Sequence, residues 1–256
     1  MIGCIVQARM GSSRLSGKVM MMVDPNLHVI DYVLNQLKAT KLIDEIIVAT
    51  STQKQDEKII NHLKLINAKF FRGSESDVLD RYYQCAKKFL LSSIVRVTAD
   101  NPLIDPKIVD DVIRVYKTKN YDYVTNSYPR TFPYGTEVEV FSFKSLEIAW
   151  KNAELPSERE HVTPYIKNNQ EIFKIFNFES KKNLSHLRWT VDTSNDLKLV
   201  SKIAGKIKTR PIFMKDILQL FKSNPELVKI NADFIPDEGY LKSLEDDKKF
   251  LKYKNL

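Results

Sequence analysis

An α/β fold with a mostly parallel sheet is predicted by three features of this sequence. Short β-rich runs alternate with helical patterns through the first half. The runs are continuously apolar, as strands covered on both faces are. Polar, loop-forming clusters follow several of them, where such sheets bind ligands beyond the carboxyl ends of their strands.

Taken in order, residues 2–6 read as a buried strand and residues 29–37 carry helix-spaced apolar side chains. Residues 45–50 form a second strand. Ile59, Ile60, Leu63 and Ile66 give a helical face, and a short strand follows at 69–71. A helix spans 78–91 and a strand 94–98. Pro106 then stands where a helix starts, with Ile108, Val109, Val112, Ile113 and Tyr116 on one face. The second half is less regular. Residues 121–126 and 137–141 read as strands around the loop 130–135, and 143–153 as a helix. Pro156 opens a helix that the pattern carries through Ile166. Residues 172–178 and 187–191 are extended, 196–207 and 214–221 are helical, and the tail from Tyr240 reads as a loosely packed helix.

Composition narrows the function. With 256 residues, 43% hydrophobic and 28% charged, the chain supports a full core, which excludes intrinsic disorder. No apolar run approaches the roughly 20 residues of a membrane helix. The opening MIGCIVQARMG lacks a basic n-region and reads as a strand, so neither membrane insertion nor a signal peptide is expected. Cys4 and Cys85 lie in apolar-periodic segments and read as buried thiols of a cytoplasmic protein. The formal charge of +8 is compatible with an anionic partner. The lysines of the last forty residues are interleaved with acids, like a solvated helical surface. No aromatic-basic stripe accompanies them, which disfavours nucleic acid against a small anionic molecule.

Three clusters carry chemistry. The first strand ends in Gln7-Ala-Arg-Met-Gly-Ser-Ser-Arg-Leu-Ser-Gly-Lys18. Glycines here let backbone N–H groups approach an anion, hydroxyls donate, and Arg and Lys neutralise charge, as phosphate binding requires. A P-loop is excluded: five residues rather than four separate Gly11 from Gly17, and Val19 replaces the magnesium-binding hydroxyl. The second cluster is Asp100-Asn-Pro-Leu-Ile-Asp105. Asp100, at a strand's carboxyl end, suits Mg²⁺ against a triphosphate, whereas Asp105 before Pro106 reads as a helix N-cap. Asp192, ending Arg188-Trp-Thr-Val-Asp, is its candidate partner, and Asp196 belongs to the opening of the next helix. The third cluster is Glu158-Arg-Glu-His161. Glu158 in a first helical turn has the helix dipole as a sufficient explanation. His161 is a candidate for acceptor binding or proton transfer, or a local hydrogen-bonding residue. No second His or Cys stands near it at zinc spacing, and His28, His62 and His186 are isolated as well, so no zinc site is expected. A hydrolase nucleophile elbow is absent.

These residues together resemble the cytidylyltransferase superfamily that makes CMP-activated acidic sugars, and more narrowly its spore-coat polysaccharide branch. The likeness starts in the 7–18 loop and continues through Arg72-Gly-Ser-Glu-x-Asp-Val-Leu-Asp-Arg81, Asp100–Asp105, Glu137-Val-Glu-Val-Phe141, Glu158-Arg-Glu-His-Val-Thr-Pro164 and Arg188–Thr193. It covers roughly residues 1–208. Two departures stand out: Ser16 where the family usually has Pro, and Ala99 where it often has Gly. The first restores backbone freedom to the loop, and the second adds a Cβ beside the nucleotide.

The resemblance implies a nucleotide-diphospho-sugar transferase fold, Rossmann-like, with a mixed, mostly parallel sheet and a dimerisation arm within about 126–178. A nucleotidyltransferase domain would span 1–208 and a helical extension 209–256. The nucleotide would be held by Ala8, Arg9, Gly11, Ser12, Ser13, Arg14 and Lys18, with Arg72, Ser74, Asp77 and Asp100 completing the pocket. Arg14, Lys18, Asp100 and Asp192 would act in catalysis, the two aspartates binding Mg²⁺. Arg130, Glu137, Glu139, Arg159 and His161 would face the acceptor. The implied reaction is CMP transfer from CTP to an acidic sugar, with pyrophosphate released, by a homodimer in surface polysaccharide synthesis. Another nucleotide or a phosphorylated acceptor is the alternative within enzymes, and a non-catalytic nucleotide-binding scaffold the alternative outside them.

Overall fold

The computed structural model describes residues 1–12 and 14–254. Its centre is a seven-stranded sheet in the order β3-β2-β1-β4-β6-β5-β7. The strands are β1 (Ile2–Gln7), β2 (Glu45–Ser51), β3 (Lys69–Gly73), β4 (Ser93–Thr98), β5 (Tyr123–Thr125), β6 (Glu139–Ser142) and β7 (Ile175–Asn177). The first four are parallel, with β1 central and in register from Ile2 opposite Ser93 to Gln7 opposite Thr98. β6 inserts antiparallel between β4 and β5, and β7 lies parallel to β5. The sheet is therefore mixed but mostly parallel, as expected.

Ten helices surround it among the described residues: α1 (Val29–Leu37), α2 (Glu57–Leu65), α3 (Val78–Lys88), α4 (Pro106–Lys119), α5 (Phe143–Asn152), α6 (Pro156–His161), α7 (Pro164–Asn168), α8 (Ser194–Lys206), α9 (Met214–Ser223) and α10 (Glu238–Lys254). One face of the sheet packs α1, α2 and α4 around Val6, Val48, Val95 and Val97; the other packs α3 and α5 around Ile5, Ile47 and Tyr82. Both faces of β1 are thus dry, which is why its sequence runs apolar without alternation. A third core joins α8 and α9 through the fully buried Trp189. Asp105 caps α4 by accepting from Lys107 N–H at 2.7 Å, and it also accepts from Met214 N–H at 2.7 Å, tying α9 to the sheet. No described helix is long and apolar enough to cross a membrane.

Three local expectations are corrected. The helix anticipated over 156–166 is two helices, because Val162 takes φ 73° and breaks the helical backbone between them. Residues 187–191 form no ladder: they make one isolated bridge, Tyr134 to Arg188, and Val191 N–H donates to the Asp100 carbonyl at 2.8 Å. Ile66 leaves the helical face, closes α2 as its C-cap and is exposed.

Candidate active site

The carboxyl ends of β1 and β4 meet at one edge, where Ala99 N–H donates to the Gln7 carbonyl at 2.9 Å. The loop after β1 is held over this edge by its backbone. Met10 N–H donates to Asp56 at 2.7 Å, and Gly17 N–H donates back to the Met10 carbonyl at 2.9 Å. That closure needs φ 68° at Gly17, a left-handed conformation that glycine adopts at little cost. A 3-10 turn at Lys18–Met20 follows and directs Lys18 inward.

Beyond the edge lies a cavity of about 600 Å³. Six cations line it, Arg9, Arg14, Lys18, Arg96, Arg159 and Lys242, against three acids, Asp100, Glu160 and Asp246. An excess of fixed positive charge in a concave, half-dry space favours a multiply charged anion. Lys18 is its most buried cation, with an 11% exposed side chain. Its ammonium donates to Asp100 and, at 2.7 Å, to Asp192 Oδ1. Burial opposes the charge on Lys18, but the two carboxylates outweigh it and raise the pKa. Burial likewise opposes ionisation of Asp192, yet Lys18, Arg14 and Arg188 hold its carboxyl below the usual range. Arg14 reaches Asp192 at 2.8 Å and Arg188 reaches it at 2.6 Å. Thr98 Oγ1 donates to Asp100 Oδ1 at 2.5 Å and fixes that carboxylate's direction.

The expected residues divide into groups. Arg9, Gly11, Ser12, Arg14, Lys18 and Asp100 line the cavity together. Ala8 lies beneath it, buried, with its N–H bonded to the Ala49 carbonyl at 3.1 Å, and Ser13 falls outside the described residues. Asp192 touches Lys18 from a neighbouring cavity of about 570 Å³, and Arg14 lines both. Arg72, Ser74 and Asp77 do not line the cavity. Arg72 pairs with Glu57 at 2.7 Å. Ser74 accepts from Asp77 N–H at 3.0 Å, and Asp77 caps α3 while holding Arg159. The segment contributes Ser76 instead, because buried Arg81 donates to the carbonyls of Ser74 and Glu75 and fixes the turn.

On the side expected for an acceptor, Arg159 and His161 line the cavity. Arg130 and Glu137 do not: they pair with each other, and Glu137 also accepts from Asn101 at 3.1 Å. Glu139 is buried at 3% exposure and faces no open space. It is bound by Arg96, Lys167 at 3.1 Å, Tyr123 at 2.5 Å and Thr163 at 2.7 Å. Burial disfavours its charge, but Lys167 and Arg96 hold the carboxyl far below its ordinary value. Glu139 therefore sets Arg96, whose guanidinium reaches the cavity. Asp196 and Glu158 do what their helix positions suggest: each accepts from backbone N–H groups at the start of α8 and α6.

Two contributions escaped the sequence reading. Arg96 sits in an apolar strand, and its charge in that setting was the available signal. The other is α10, which crosses the cavity and lends it Gly239, Lys242, Ser243 and Asp246. Asp247 anchors it by accepting from Ser157 N–H at 2.8 Å, Ser243 bonds His161 at 2.8 Å, and Glu238 pairs with Arg14 at 2.9 Å. Nothing in its sequence distinguishes it from a solvated helix.

The Asp100–Asp192 pair has the donor chemistry of a magnesium site. Both carboxylates already converge on one cation, Lys18 Nζ, and offer only hard oxygen donors beside a cationic cavity. Mg²⁺ is typically held by one or two carboxylates with the remaining positions filled by water and substrate phosphates. The residues fit that pattern.

A family profile described as cytidylyltransferase matches residues 3–222. An uncharacterized protein of Methanocaldococcus jannaschii is 37% identical over 231 residues, covering 90% of this chain and 93% of its own. The spore coat polysaccharide biosynthesis protein SpsF of Bacillus subtilis is 30% identical over 230 residues, covering 87% of this chain and 94% of its own. A solved cytidylyltransferase from Leptospira borgpetersenii superposes with TM-score 0.85 at 32% identity, over 91% of this chain and 98% of that one.

Proposed function

Because this chain belongs to the cytidylyltransferase family, we propose that it transfers CMP from CTP to a small acidic sugar, releasing pyrophosphate, in surface polysaccharide synthesis. The observation that carries the reading is the Lys18 ammonium, drawn between Asp100 and Asp192 at the edge of a cavity with more cations than acids.

The triphosphate lies along the loop after β1, where Arg9, Arg14 and Lys18 meet its charge and the backbone around Gly11 allows close approach. Asp100 and Asp192 would hold Mg²⁺, which supplies charge neutralisation on the phosphate oxygens. When the nucleotide enters, Lys18 exchanges its carboxylate partners for phosphate oxygens. The acceptor hydroxyl oxygen forms a bond to the α-phosphorus as the bond to the bridging β-phosphate oxygen breaks, and the hydroxyl proton passes to water. Pyrophosphate carries away the electron pair, stabilised by Arg14 and Lys18. Positioning and electrostatics supply most of the acceleration in such reactions, so no strong general base is needed. His161, whose pKa is pushed down to about 4 by burial and by Arg96 and Lys167, is neutral at pH 7 and serves as a hydrogen-bonding wall with Arg159 on the acceptor side. The stretch 126–178 provides the dimer contact, where Tyr128, Ile172 and Phe176 are exposed.

The test is calorimetry of CTP with and without Mg²⁺, against UTP, GTP and ATP, followed by pyrophosphate release with a panel of acidic sugars. Metal-dependent, CTP-selective binding and sugar-dependent pyrophosphate release are expected. Selectivity for another nucleotide would replace the donor, and binding without turnover on any acceptor would leave a scaffold.

A further inference from the structure

His28 and His62 are remote in sequence, and nothing in their local spacing links them. The structure brings their rings edge to face, 4.6 Å between centroids. Between them stands the carboxylate of Asp31, in the first turn of α1 and 5% exposed. His28 Nδ1 lies 2.9 Å from Oδ2, and His62 Nε2 lies 2.6 Å from Oδ1. The facing donor atoms of all three residues fall within 4.8 Å of one another, and this is the one three-donor cluster among the described residues.

We propose that His28, Asp31 and His62 form a site for a divalent transition-metal ion of the zinc class, with water completing a tetrahedron. Two imidazoles and a carboxylate are donors that suit such an ion, unlike the oxygen-only pair at Asp100 and Asp192. Donors on a tetrahedral ion of this size stand about 3.3 Å apart, and the three donor atoms already lie within 4.8 Å of one another, so shifts of about an ångström bring them onto one ion.

The carboxylate is oriented in advance, because the His28 backbone N–H donates to Oδ2 at 2.8 Å and leaves Oδ1 for the ion. The outer ring nitrogens, His28 Nε2 and His62 Nδ1, make no hydrogen bond to a described protein group. An ion replaces the two hydrogen bonds from the inner ring nitrogens to the carboxylate; each ring proton moves to its outer nitrogen, and the inner nitrogens present lone pairs. The two rings are 25% and 16% exposed, so an ion reaches them from solvent.

The role that follows is a brace. His28 bridges to Met22, and Val29 N–H donates to the Met21 carbonyl at 2.9 Å, so α1 begins where the segment carrying Lys18 ends. An ion here ties that junction to the last turn of α2, away from the nucleotide cavity.

The experiment titrates Zn²⁺ into the metal-free full chain by calorimetry and follows thermal unfolding, beside His62→Gln and His28→Gln checked for fold by circular dichroism. Asp100 and Asp192 are intact in all three proteins, so zinc bound there cancels in the comparison. The wild type is expected to bind one Zn²⁺ more than either variant, or to bind it at least about 100-fold more tightly, since even partners outside the ligand set cost 10–100-fold. Zn²⁺ should raise the midpoint further in the wild type than in either variant, and Co²⁺ should give the wild type alone the strong visible absorption of a tetrahedral site. Equal zinc binding by the wild type and both folded variants, or none by the wild type at micromolar Zn²⁺, would overturn the proposal and leave Asp31 as a helix cap shared by two histidines.

Discussion

Asp192 Oδ1 accepts a hydrogen bond from Lys18 Nζ at 2.7 Å across 174 positions of the chain. That contact joins the loop after the first strand to the extended segment before α8. It makes one ammonium the common neighbour of both carboxylates offered to magnesium. The pair is not symmetric, however: Asp192 also binds Arg14 and Arg188, whereas Asp100 has Thr98 as its second partner.

Replacing either aspartate should therefore separate catalysis from stability. Asp100→Asn is expected to lower turnover roughly 1,000-fold or more while leaving the fold intact. Asp192→Asn should lose similar turnover and also destabilise the protein by about 2–3 kcal/mol, because three cations lose a buried partner. Pyrophosphate release and urea unfolding read the two effects; near-wild-type turnover in Asp100→Asn would remove it from the mechanism.

Freeing Arg14 should tighten nucleotide binding. Glu238 competes for its guanidinium at 2.9 Å from a half-buried position. Glu238→Gln is expected to improve CTP affinity by a few-fold, the scale of one solvent-facing ion pair. Calorimetry at low and high salt checks it, and the gain should shrink as salt rises.

Acid sensitivity should trace partly to His161. Its pKa falls to about 4 in the fold, through burial and then Arg96 and Lys167, against an ordinary value of 6.5. Between those values the unfolded chain binds a proton that the folded one does not, so stability rises with pH there. This contribution is fully present above about 6.5 and is lost as pH falls toward 4. Urea unfolding at pH 7 and pH 5 should show a smaller drop for His161→Gln than for the wild type.

Glu139 should matter more to folding than to acceptor recognition. Glu139→Gln strands Arg96 and Lys167 beside a neutral group and is expected to cost about 3–5 kcal/mol. Thermal unfolding measures that loss. The KM for the acceptor should change less than the KM for CTP, whose pocket contains Arg96.

The sheet was legible because β1, β2 and β4 are buried on both faces, and burial of that kind leaves an unbroken apolar run. The loop from Gln7 to Lys18 was legible for the opposite reason, since so much charge after such a strand has few structural uses. What resisted reading was pairing at a distance. Asp77 and Arg72 carry the charge of ligands, but a helix cap, Arg159 and Glu57 occupy them. Glu139 has the composition of a binding residue, and only its burial reveals a support for Arg96. His28 and His62 meet solely because α1 and α2 share one sheet face. The break after His161 depended on φ at Val162, which no side-chain pattern records.

The helix that spans the cavity gives the site an order of construction. Its first wall is made from residues 7–18 and its last from residues 239–246. A chain synthesised from the amino end can complete the sheet, the Lys18 contacts and the His28–Asp31–His62 cluster while this wall is still missing. Until α10 docks through Asp247 onto Ser157, the anion-binding surface stands open along one side. Closure of this surface therefore waits on the docking of α10, whatever the order in which the rest of the fold forms.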